Sequence, residues 1–74
     1  IKIYPNPTNG LIDIKVSESL LGSDVILYDL QGSIVGNWPG WSGAQLDLRS
    51  YQAGLYVVTL QNSFNMVRSS VVIH

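Results

Sequence analysis

The acid–base and metal-ligating repertoire of this sequence is five carboxylates, Asp13, Glu18, Asp24, Asp29 and Asp47, and a single imidazole, His74. Such chemistry needs these groups to converge, and their spacing gives no sign of it. No Asp-x-Asp-x-Asp-Gly run occurs, so a calcium loop is not expected. We read the carboxylates as turn and solvent-face residues. His74 ends the chain, where fraying is the default, and is read as a solvated tail residue rather than a base or ligand. Asn6-Pro7-Thr8 fails as a glycosylation acceptor because proline holds the middle position. The expectation is no catalytic residue, no metal and no cofactor. Trp38 and Trp41 are different in kind. They bracket Pro39-Gly40, and two roles stay open: an exposed pair that stacks on a sugar or partner, or a lid over one end of a small core.

Charge and length narrow the classes further. Lys2, Lys15, Arg49 and Arg68 face the five acids for a net charge of −1, with no run of one sign. A surface that tracks phosphates is therefore not expected, and nucleic acid is not a partner. Apolar runs reach only four or five residues, far short of the ~20 of a membrane span. Seventy-four residues make one domain, whose stability should be modest at ~3–5 kcal/mol. Without cysteine, its core must come from the 46% of hydrophobic residues. The sequence does not open with methionine, and we read residues 1–74 as one domain cut from a longer secreted protein.

What must position any site is almost entirely of period two. Ile12, Ile14 and Val16 alternate with Asp13 and Lys15, the pattern of a half-buried strand. Tyr56, Val58 and Leu60 repeat it against Thr59 and Gln61, and Val25 to Leu30 is apolar on both faces, as suits a central strand. Turn residues separate these runs. Pro5 and Pro7 fix φ and remove two donors, and Gly10 supplies a left-handed position. Asp29 to Ser33 reads as a tight hairpin with Gly32 at positive φ. The spacing predicts seven strands, over 1–4, 11–16, 24–30, 33–38, 44–48, 54–61 and 66–73, with no helical segment. That is an all-β, antiparallel, immunoglobulin-like sandwich, although the Cys…Trp…Cys spacing of a true immunoglobulin domain is missing.

Several segments then fall in a telling order. Tyr4-Pro5-Asn6-Pro7-Thr8-Asn9-Gly10 opens the chain, and Tyr28-Asp29-Leu30-Gln31-Gly32-Ser33-Ile34-Val35 follows. Leu46-Asp47-Leu48 and Gly54-Leu55-Tyr56-Val57-Val58 come next, and Arg68-Ser69-Ser70-Val71-Val72-Ile73 closes it. Together they resemble the C-terminal sorting domain of type IX secretion cargo from certain Gram-negative bacteria. They are similar to the family's opening Tyr-Pro-Asn-Pro-x-x-Gly, its Tyr-Asp-x-x-Gly-x-x-Val hairpin and its late Leu-x-Leu and Gly-x-Tyr-x-Val elements. At the end this chain departs from it, with Arg68 rather than a lysine nearest the aliphatic finish, and His74 last.

The resemblance implies a non-catalytic signal that follows an unrelated cargo. It would be recognised in the periplasm by the outer-membrane translocon and its shuttle proteins, on the way to the cell surface or medium. A surface sortase-like cysteine protease would cut upstream of it and attach the cargo to a lipopolysaccharide. Tyr4, Pro5, Asn6, Pro7, Gly10, Asp29, Gly32, Gly54 and Tyr56 are its structural motif residues. Arg68, Ser70, Val71, Val72 and Ile73 are the candidates for translocon recognition, by pairing along an unpaired edge of the last strand. The plainer role for 66–73 is a strand that only completes the sheet. We expect a monomer without membrane insertion. The rival reading, an accessory sandwich of a surface enzyme, would bind polysaccharide through Trp38 and Trp41.

Overall fold

The computed structural model describes residues 1–74. Seven strands appear where the alternation placed them: β1 (Lys2–Tyr4), β2 (Leu11–Lys15), β3 (Asp24–Tyr28), β4 (Ile34–Trp38), β5 (Leu46–Asp47), β6 (Gly54–Gln61) and β7 (Met66–Ile73). They form two antiparallel sheets, β1-β2-β5 and β4-β3-β6-β7. Lettered A, B, C, C′, E, F, G in chain order, these are the A-B-E and C′-C-F-G sheets of an immunoglobulin-like sandwich without strand D. The architecture is the one the sequence predicts.

The core lies between the sheets. Ile12 and Ile14 of β2 meet Val25 and Leu27 of β3, Val58 and Leu60 of β6, and Val71 and Ile73 of β7; all are buried. Leu46 and Leu48 enter from β5 and its end. Alternation alone explains the inward set, because each of these strands turns every second residue to the same side.

Four local differences from the sequence reading have physical causes. β3 stops at Tyr28 rather than residue 30, because the Asp29 carboxylate accepts the amides of Gln31 (3.0 Å) and Ser33 (2.9 Å) and starts the turn early. Gly32 sits at φ +84° in that turn, as expected. β5 shrinks from 44–48 to Leu46–Asp47, since it pairs only with Leu11 and Ile12. Beyond it the Asp47 carboxylate turns back to the Arg49 amide. A single 3₁₀ turn, Glu18–Leu20, stands where no helical segment was foreseen, and it drops Leu20 into the core. Thr59, expected to face solvent, does lie on the outer face of the larger sheet, yet it is buried together with Ile26. They are cross-strand partners on the two central strands, each of which has a strand on either side.

Candidate functional site

β7 forms one edge of the four-stranded sheet, with β6 on its other side. Val67, Val71 and Ile73 point inward, while Arg68, Ser70 and Val72 point out. The antiparallel ladder also alternates in its backbone, so residues 67, 69, 71 and 73 bond to β6 and residues 66, 68, 70 and 72 turn their amides and carbonyls to the open side.

Half of that open side is occupied. The Asn6 side chain takes the place of a neighbouring peptide group: its Oδ1 accepts the Val72 amide at 3.0 Å and its Nδ2 donates to the Ser70 carbonyl at 3.2 Å. Thr8 continues the pairing as a parallel bridge to Ile73. The Thr8 amide donates to Val72 O at 2.8 Å, and the His74 amide donates to Thr8 O at 2.9 Å. Thr8 itself is held from below, its hydroxyl donating to Leu11 O at 2.9 Å and accepting the Gly10 amide at 3.0 Å. Gly10 lies at φ +123°, and a Cβ there would sit 2.9 Å from the Arg49 Cα, so only glycine fits. Pro5 and Pro7 flank Asn6 and carry no amide hydrogen. The first motif is thus a clip closed onto the last strand.

The remaining motif residues set up this frame. Tyr4 is exposed, with Lys2 Nζ 5.8 Å from the centre of its ring. Gly54 opens β6 opposite Ile73. Tyr56 is not at the centre of the core, as its inward phase suggested. It is half-buried at one end, set edge-on to Tyr51 at 6.1 Å, and its hydroxyl donates to Gln52 O at 2.7 Å. A tyrosine near the start of strand F that bonds back to the backbone is the tyrosine corner of immunoglobulin-like sandwiches.

A model of the family described as secretion system C-terminal sorting domain matches residues 2–74. The chain belongs to this family. It is a type IX sorting domain, from a family of non-catalytic signals, and such a signal implies export toward the cell surface or extracellular space. A search of the curated proteins finds no match.

Against this sorting domain, the residues singled out in the sequence divide clearly. Arg68, Ser70 and Val72 are brought to one outward row. Val71 and Ile73 are 0% and 4% exposed, so their side chains are spent in the core and offer a partner nothing in the folded domain. Trp41 is also core, 4% exposed, its indole N–H donating to Ala44 O at 2.8 Å. Trp38 packs half-buried against the same cluster. The two rings therefore form no sugar platform, and the lid is what the structure contains. The carboxylates gather no site: no group of three His, Asp or Glu side chains stands close enough to hold a metal. Asp47 instead pairs with Arg49, through contacts of 3.0 and 2.9 Å. That contact and the Arg49 amide pull the Asp47 carboxyl down to about 2 and push Arg49 upward.

Thr8 is the residue sequence reasoning missed. Its place four positions past Tyr4 looks like part of a bend, and nothing local marks it as the partner of residues 72–74. Asn6 between two prolines was the available signal, because an amide side chain there is free to bond elsewhere.

Proposed function

We propose that residues 1–74 act as one C-terminal unit behind a cargo, and that the outer-membrane type IX translocon, with its shuttle proteins, engages the unit in the periplasm on the side of β7. The observation that carries this reading is that the family's terminal motif is an edge strand whose Arg68, Ser70 and Val72 face outward while its other residues anchor the core. A rigid sandwich can hold such a strand in the same form behind any cargo. A surface sortase-like cysteine protease then cuts upstream of the domain, which is spent once the cargo has crossed.

The test is to fuse residues 1–74 behind a periplasmic reporter in a bacterium with type IX secretion. The reporter should reach the surface or medium, and the combined Arg68→Ala, Ser70→Glu, Val72→Asp variant should leave it in the periplasm. These outward positions move stability by no more than ~0.5 kcal/mol in the usual case, so melting should stay near the parent. Full export of the triple variant would remove the outward side chains of β7 from recognition.

A further inference from the structure

The edge of β7 is guarded over half its length and open over the other half. At Ser70–His74, Asn6 and Thr8 consume the outward backbone groups, and Pro5 and Pro7 in the clip carry no amide hydrogen to offer a further strand. At Met66–Ser70 nothing pairs with the open side: the amide and carbonyl of Arg68 and the amide of Ser70 point to solvent. Exposed edges are normally blunted by proline, lysine, bulges or covering loops, because they recruit other strands. This domain applies that protection to one stretch only, and immediately stops.

The open stretch has recognition features beside it. At its start Phe64 is 91% and Met66 64% exposed, on a turn fixed by the Asn62 side chain accepting the amides of Phe64 and Asn65 at 2.8 Å each. On the outer sheet face a groove of about 400 Å³ runs past Tyr28, Leu30, Val57, Met66 and Arg68. Arg68 is the single cation in the groove wall.

We propose that Met66–Ser70 is a strand-addition site: an extended segment of the translocon pairs with the free main chain of β7, and Asn6 stops the pairing at Ser70. The row of main-chain donors and acceptors fits an extended peptide rather than a helix or a lipid. Such a segment would lay apolar side chains beside Phe64 and Met66 and place an acid near Arg68. Main-chain reading suits a signal carried by many cargoes, since it asks little of side-chain identity. The pairing site rests on the sorting role proposed above.

Proline separates main chain from side chain. Arg68→Pro and Ser70→Pro each delete one outward amide and block an incoming strand, while the bonds to β6 come from residues 67, 69 and 71 and survive. In the reporter fusion both proline variants should lose export down to the level of the reporter without the domain, with circular dichroism and melting of the isolated 74-residue chain still cooperative. Arg68→Gln and Ser70→Ala, which keep the backbone donors and lose only side-chain contacts, should retain far more export than proline at the same position. Should proline unfold the sandwich, a ligated chain N-methylated at Ser70 replaces it, and the expected result is lost binding to detergent-solubilised translocon. Export or binding by folded, edge-blocked chains overturns strand addition while leaving the sorting role in place. Concentration-dependent dimers of the parent that vanish in the proline variants, with export unchanged, would assign the edge to a second copy instead. Failure of the unmodified domain to export would take down the sorting role and the pairing site together.

Discussion

At the scale of single residues, much of the sorting motif's chemistry is hydrogen bonding of side chain to backbone. Asp29 ends a strand, Thr8 ties a loop to Leu11, and Tyr56 pins the segment before β6. Tyr56→Phe should therefore cost about 0.5–1.5 kcal/mol in urea unfolding, the worth of one such bond. Leu60→Ala, at a fully buried site, should cost about 2–5 kcal/mol and threaten the whole fold. Equal effects would mean that Tyr56 is a core residue like Leu60. The Asp47–Arg49 pair supplies a pH signature. Because the folded carboxyl titrates at about 2 against an ordinary 3.8, its contribution is complete above 3.8 and disappears as pH falls toward 2. Asp47→Asn should melt slightly below the parent near pH ~6, and the gap should close by pH ~2. A constant gap across that range would show that the pair is not formed. Both side chains are more than half exposed, so the effect is small at any pH.

Elements tell a different story from residues, because what closes this sandwich is a contact between its two ends. Asn6 and Val72 are 66 positions apart. The strands themselves are legible in the sequence: period-two runs mark Ile12 and Ile14, and Val58 and Leu60, as inward without any knowledge of their partners. The turn at Gly32 and the requirement for glycine at Gly10 are legible for the same reason, being fixed by local backbone geometry. The clip is not. Tyr4 to Gly10 announces a bend, but which strand the bend lies against depends on the order of strands in the sheet, and alternation carries no information about order. Trp41 stays open in the sequence, where lid and exposed platform both suit a tryptophan beside Pro39-Gly40, until Ser23 O accepts its amide at 3.0 Å and folds the loop inward. Asn6→Ala tests the clip directly. It removes two bonds, for about 1–2 kcal/mol of destabilisation, and the Val72 amide should lose its protection from hydrogen exchange ahead of its neighbours in β7. Protection of Val72 equal to the parent's would mean that the loop does not hold the strand.

At the scale of the molecule, one sheet serves as backing and the other as the presented surface. β1-β2-β5 closes the core and turns Asp13 and Lys15 to solvent, whereas β4-β3-β6-β7 ends in the strand that carries the terminal motif. The two faces differ enough for a partner to be located on one of them. A photocrosslinking amino acid can be placed at position 68 or 70 of β7, or at position 13 or 15 of β2, in a reporter fusion caught during export. Positions 68 and 70 should crosslink to the outer-membrane translocon, and positions 13 and 15 should not. Crosslinks to the translocon from β2 alone, or from none of the four positions in a fusion that is still exported, would contradict recognition through β7.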